Sequence, residues 1–359
     1  MVNLKKFGVH VLTYRHELSR LLEYGVKLEK WGFDHLTVGD HTLTTNAQVQ
    51  YPNAHVILSA IGTLTNRITL STAVTDSYRR HPVEIAQSIA TLDRLTKGRI
   101  ALGIGAGAVL NLGPFGIEWK KPYTTLKEAI EVIKLLWHSS PNTPVDFQGE
   151  IFKLDKAYLQ IKCCQKPHPP IYVGGISPKT RELIGEVGDG WFPLASETPK
   201  ALKVHLEDIK KGAAKIGRGM EDYCIFPTIY TVIGDFEEAY KIVEPFASSV
   251  FLNGWLEDDI LQMLGIERSR VTNFRKIRAD DVESLRKLAE LARALPRSLV
   301  EQIVAIGSPD QCIARLEEYL KAGANCLLIC SLDKDDDKLY QTYSEKILPY
   351  LKETYSDHK

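Results

Sequence analysis

The sequence predicts an α/β chain that closes as a (β/α)8 barrel, and three observations carry that prediction. Eight strand-like apolar runs alternate with helical stretches along the chain. The helical stretches are long enough for the crossovers that parallel strands require. Polar or glycine-rich residues recur where the strands end, which is where such barrels place their sites.

The elements follow in order. Phe7–Leu12 is the first strand and leads into a helix over Leu18–Trp31. Phe33–Val38 is the second strand, ending in Gly39-Asp40-His41, with a helix near Ala54–Leu64 after it. The stretch RITLSTAVTDSYRRHPVEIAQSIATLDRLTKGRIALGIGAGAVLN (67–111) then reads as strand, loop, helix, strand, loop. Its strands are Ile68–Val74 and Arg99–Ile104, its helix Pro82–Leu95. Another helix runs over Tyr123–Trp137, and Pro82 and Pro122 both sit where proline opens a helix. Residues 143–162 alternate around a central glycine and predict a hairpin excursion. Ile171–Val173 is the fifth strand, ending in Gly174-Gly175-Ile176-Ser177, where Ser177 or Thr180 can start a helix. The sixth strand opens at Gly188-Asp189-Gly190-Trp191 and is followed by a helix over Thr198–Ile216. Tyr223–Ile233 and a helix over Phe236–Ser248 come next. Residues 250–302 break the rhythm and predict a helical insertion before the last strand. Ser308 caps a helix ending at Gly323, Asn325–Ser331 is the eighth strand, and Leu339–Glu353 the last helix. The expected organisation is a single domain over 1–359.

Composition narrows the function classes. The 359 residues are 44% hydrophobic and 25% charged, with Lys+Arg and Asp+Glu both at 45. A zero net charge recruits neither nucleic acid nor an acidic membrane surface. No apolar run approaches the ~20 residues that span a bilayer. The basic, then apolar N-terminus is interrupted by Gly8 and His10 and reads as a strand, so a cytoplasmic protein is expected. The six cysteines contain no CxxC pair, and a reduced compartment without a metal site is the expectation.

Several positions carry chemistry. Asp40-His41 at the end of the second strand offers a neutral imidazole for proton exchange beside an acid; the pair can equally be a surface loop or a helix cap. Gly105-Ala106-Gly107 lets backbone approach a flat ligand or phosphate, although tight turns need glycine anyway. Without a third glycine it is not a dinucleotide fingerprint. Gly174-Gly175-Ile176-Ser177 before a helix is either an anion cradle or a plain turn. Arg79 and Arg80 can bind an anionic ligand tail or sit in solvent. His10, inside the first strand, is either a satisfied core histidine or a site group.

Taken together, WGFDHLTVGDH (31–41), ITLSTAVTDSYRRHPVEIAQSIATLDRLTKGRIALGIGAG (68–107), KPHPPIYVGGISPKTRELIGEVGDGW (166–191) and LPRSLVEQIVAIGSPDQCIARLEEYLKAGAN (295–325) resemble the bacterial-luciferase-like superfamily. The resemblance is to its coenzyme F420-dependent branch, and the last segment looks most like methylenetetrahydromethanopterin reductases. It implies a TIM barrel binding a deazaflavin or flavin at the carboxyl ends of the strands. It also implies a non-prolyl cis peptide at Ala73-Val74 behind the ring, with Asp40 and Asp76 as cofactor-contacting acids. By the same resemblance Ala106, Gly107 and Asn111 lie beside the ring, and Gly175, Ile176 and Ser177 form the phosphate loop. His41 matches an active-site acid or base. Two positions depart from known members: Ala108 replaces the glutamate of the sugar-phosphate dehydrogenases, and His10 that of the methanopterin reductases. His10 and His41 are therefore the expected proton-handling pair.

The expected function is an F420-dependent oxidoreductase moving a hydride between deazaflavin C5 and a small organic substrate. An FMN-dependent monooxygenase and a non-catalytic flavin- or deazaflavin-binding protein are the alternatives. A homodimer is implied by the resemblance alone.

Overall fold

The computed structural model describes residues 5–44, 48–253, 277–293 and 295–355. In chain order the strands are β1 (Lys6–Val11), β2 (His35–Val38), β3 (Thr69–Thr72), the short β4 (Thr75–Asp76), and β5 (Ile100–Gly105). The hairpin β6 (Val145–Gln148) and β7 (Lys153–Ala157) follows, then β8 (Ile171–Gly174), β9 (Gly190–Phe192) and β10 (Cys224–Ile225). The last three are β11 (Thr228–Ile233), β12 (Val304–Gly307) and β13 (Cys326–Ser331). Among the described strands all pairings are parallel except the hairpin, which stands apart as its own antiparallel sheet.

The ring runs β1, β2, β3 with β4, β5, β8, β9, β10 with β11, β13 and back to β1. β10 and β11 are two stretches of one strand. Between them Phe226 N donates to Trp191 O on β9, and Pro227 O accepts from Leu328 N on β13. That pair of bonds closes the barrel. All four residues of β2 are buried, as a strand covered on both faces requires.

The helices are α1 (Leu18–Lys30), α2 (Ala54–Leu64), α3 (Pro82–Leu95), the short α4 (Val109–Leu112), α5 (Pro122–His138), α6 (Pro178–Val187) and α7 (Pro199–Lys215). After them come α8 (Phe236–Asn253), α9 (Val282–Arg293), the single turn α10 (Arg297–Val300), α11 (Pro309–Lys321), α12 (Asp336–Thr342) and α13 (Leu348–Tyr355). Their starts are chemically marked. Asn53 caps α2, His81 caps α3 ahead of Pro82, and Ser308 forms a capping box with Gln311 at α11.

Two features were not expected. β12 pairs with β11 on the side away from β13, with Tyr230 opposite Val304 and Ile233 opposite Gly307. It is an added strand outside the ring, short enough to pass as the lead-in to the next helix. The last helix is also broken, by a π turn over Tyr343–Ile347. Within the expected insertion over 250–302, residues 254–276 and 294 lie outside the described residues, and helices cover 250–253, Val282–Arg293 and Arg297–Val300.

Aromatic rings plug the barrel interior. Tyr172 and Phe226 pack tilted with ring centroids 4.6 Å apart, Phe192 and Phe226 at 4.8 Å, and His35 lies 5.2 Å from Phe226. The opening of the barrel is therefore left at the carboxyl ends of the strands.

Candidate active site

A cavity of about 390 Å³ lies at those carboxyl ends. From β1 comes His10; from the loop after β2, Asp40 and His41; from the β3–β4 break, Ala73, Val74, Thr75 and Asp76. The turn after β5 gives Gly105 to Ala108, with Asn111 from α4. Gly174 to Ile176 and Thr180 form the wall at the start of α6. The far wall is apolar, with Phe192 to Ala195 after β9, Tyr230 on β11 and Val250 on α8.

The Ala73–Val74 peptide is cis, as the resemblance implies. Here the β3 ladder stops, and a side chain takes its place. The Thr72 hydroxyl donates to Gly103 O at 2.7 Å and accepts from Gly103 N at 3.0 Å. A Cβ on Gly103 would sit 1.8 Å from Thr72 O, so only glycine permits this approach. The Val74 side chain then lies between two further glycines. A Cβ on Gly105 would be 2.7 Å from Val74 Cγ2, and one on Gly174 3.2 Å. Gly105, the last residue of β5, thus makes room for Val74, and Gly107, at φ +69°, turns the chain.

The two acids are tied to the two arginines. Asp40 is buried; it accepts from the Thr75 hydroxyl at 2.7 Å, from Arg79 Nη2 at 3.2 Å and from Arg80 Nη1. Burial pushes its carboxyl up, but the Arg79 cation, the Thr75 hydroxyl and Arg80 outweigh it and hold it below its ordinary value. Asp76 accepts from Arg79 Nε at 2.6 Å and from the backbone N–H groups of Tyr78 and Arg79. Arg79 and Arg80 are 11% and 12% exposed, so neither is solvated; Arg79 borders the cavity and Arg80 does not.

The two histidines keep different company. The His10 Nδ1 is 2.8 Å from Thr37 Oγ1 on β2. Burial and the neighbouring His41 push His10 down to about 4. His41 is exposed and borders the cavity, with its Nδ1 2.8 Å from Asn111 Nδ2. The surrounding protein and the Arg79 cation lower it, against the pull of Asp40 and Asp76. Both rings are neutral near pH 7.

Of the expected loop before α6, Gly175 and Ile176 border the cavity. Ser177 does not: its Oγ accepts from Thr180 N at 3.1 Å and bonds the Thr180 hydroxyl, capping the helix. Thr180 takes the wall position. The apolar wall from Phe192 to Ala195, Tyr230 and Val250 was missed because none of those residues carries a motif. For Phe192 to Ala195 the place at the end of a strand was the available signal; Tyr230, inside β11, and Val250, on α8, had none. No group of metal-ligating side chains occurs among the described residues, and no described helix can cross a membrane.

The geometry is that of a barrel with a cavity at its strand ends, bordered by an imidazole pair and a glycine-lined wall. Residues 1–326 match the family described as luciferase-like monooxygenase, and the chain belongs to that family. The 5,10-methylenetetrahydromethanopterin reductase of Archaeoglobus fulgidus is 30% identical over 97% of this chain and 100% of its own length. The F420-dependent glucose-6-phosphate dehydrogenase of Microbacterium testaceum is 26% identical, covering 98% of each chain. An F420-dependent secondary alcohol dehydrogenase, solved with an F420-acetone adduct, superposes with a TM-score of 0.80 at 23% identity, over 96% of this chain and 98% of that one. The chain is therefore a luciferase-like barrel enzyme whose relatives include F420-dependent oxidoreductases.

Proposed function

We propose that this chain is a coenzyme F420-dependent oxidoreductase acting on a small organic substrate, methylenetetrahydromethanopterin reductase-like in pattern. The observation that carries it is the Val74 backstop. A side chain seated between Gly105 and Gly174, beside the cis bond, gives a smooth apolar support for a planar ring. The residues fit the cofactor. Ala73, Val74, Ala106 and Gly107 would hold the ring, and Asn111 the loop beside it. Gly175 and Ile176 would take the phosphate at the positive end of α6, with Ser177 fixing that helix start. Asp40 and Asp76 would act through Arg79, the cation at the cavity wall.

When bound, the deazaflavin supplies a two-electron hydride carrier; position and polarity come from the protein. His10 and His41 are the pair facing the reacting atoms, and the apolar wall excludes water. The paired state of Asp40 and Asp76 leaves no free cavity carboxylate among the described residues, which favours an uncharged reacting group. A small-molecule substrate, a cytoplasmic location and a homodimer complete the proposal, the location on the reading of the N-terminus and the homodimer on resemblance.

Titration of the purified protein with oxidised coenzyme F420 and with FMN, followed by Trp fluorescence, tests it. Micromolar F420 binding with much weaker FMN binding is expected. Tight binding of FMN alone would identify a flavin monooxygenase instead.

A further inference from the structure

The two cavity histidines look equivalent in sequence, but their hydrogen-bond partners are not. Asn111 is buried, and its Oδ1 accepts from Thr42 N at 2.7 Å and from Leu43 N at 3.0 Å. Two backbone donors on that atom fix which end of the amide is oxygen. The amide nitrogen is therefore the end that meets His41 Nδ1 at 2.8 Å. An NH2 group only donates, so Nδ1 must accept, and the proton of the neutral ring sits on Nε2.

We propose that Asn111 is a positioning residue that locks His41 in the Nε2–H form, making His41 a fixed hydrogen-bond donor to the substrate rather than a base. Protonating Nδ1 would set two donors face to face, so the same amide also opposes the imidazolium. Around the ring stand Arg79, Asp40 and Asp76, with His10 beside it and the Tyr51 ring edge-on at 5.2 Å. The arginine and histidine disfavour a cation there and the carboxylates favour one, but both carboxylates are already paired to arginine.

His10 differs in kind. Its partner is the Thr37 hydroxyl, which both donates and accepts. The same hydroxyl serves the ring whether Nδ1 carries a proton or not. His10 Nε2 can thus gain or lose a proton while the Thr37 bond survives. On the proposed function this divides the labour. With an alcohol bound, His10 Nε2 would take the O–H proton, and the deazaflavin, when bound, would supply the hydride acceptor. His41 Nε2–H meanwhile polarises the oxygen, as a neutral imidazole can.

The lock is tested without cofactor or substrate. Long-range 1H–15N correlation on 15N-histidine-labelled protein at pH 7.5, with His41 assigned by loss of its signals in His41→Gln, reports the tautomer. Unprotonated Nδ1 and protonated Nε2 are expected. A protonated Nδ1 in the wild type overturns the proposal. Asn111→Asp keeps an oxygen for Thr42 and Leu43 and offers His41 an acceptor, so Nδ1 should become protonated; an unchanged tautomer in this folded variant also overturns it.

The division of roles has its own readout. His10→Gln should lower turnover by ~100-fold as loss of a base. His41→Gln, which keeps an N–H donor, should retain most of the rate that His41→Ala loses by ~100-fold. Equal loss in both His41 variants rejects the donor role. Failure of F420 to bind would reject the proposed function while leaving the tautomer result standing.

Discussion

Two arginine side chains converge on the Asp40 carboxylate, and together they decide what it can do. Its side chain is 1% exposed, and Arg80 reaches both of its oxygens while Arg79 bridges it to Asp76. A carboxylate so engaged has little capacity left for a ligand. It acts as a strut that aims Arg79 and holds the loops after β2 and β4 together. Arg80 does not border the cavity, so its loss separates stability from binding. Arg80→Ala strips one cation from a buried pair and should cost about 3 kcal/mol in urea unfolding. Ligand affinity measured well below the transition should change little. A stability loss within error of zero would show that Arg79 alone carries the charge.

At the scale of elements, the break between β3 and β4 organises the site. Strand pairing stops at Thr72, the Thr72 hydroxyl bridges to Gly103, and Val74 enters the gap between Gly105 and Gly174. Gly105→Ala should overpack this slot by ~1–3 kcal/mol. In a Val74→Ala background the Cγ atoms are gone, so the same substitution should cost much less. A double-mutant cycle by denaturation measures the coupling, and simple additivity would reject it. The segment over 67–111 was legible in sequence because strand, helix and loop periods alternate within it, and both glycine positions were visible. Their partner was not. Nothing local in GIGAG says that its second glycine exists for a valine more than thirty residues upstream, nor that Asn111 reaches His41 across 70 residues. Ser177 shows the converse: one hydroxyl suits both a cap and an anion, and the local geometry of α6 chose the cap.

The whole molecule adds a term that no single motif contains, namely histidines buried neutral by the closure of the barrel. The eight-strand alternation was readable because each strand ends in a turn signal, whereas burial inside the barrel depends on which face points inward. His35, read only as part of an apolar run, lies in the barrel plug with its Nε2 2.9 Å from Ser71 Oγ, and burial pushes it down to about 3. His55, on α2, is pushed down to about 4 by burial and by Arg80. His10 is also near 4. Each folded value lies below the unfolded value of 6.5, so between these limits the unfolded chain binds more protons. Stability from these groups is fully present above pH 6.5 and is lost as pH falls through that window. From pH 6.5 to 5 the loss is ~2 kcal/mol for each of His35 and His55, and less for His10, which borders the cavity. Ordinary carboxylates titrate mostly below this range, near pH 4, so the histidines dominate it. Urea midpoints should therefore drop markedly between pH 7.5 and pH 5. His55→Gln, which cannot titrate, should remove about one proton from the slope. A wild-type midpoint that stays constant over the interval would mean that these rings take up protons in the folded barrel.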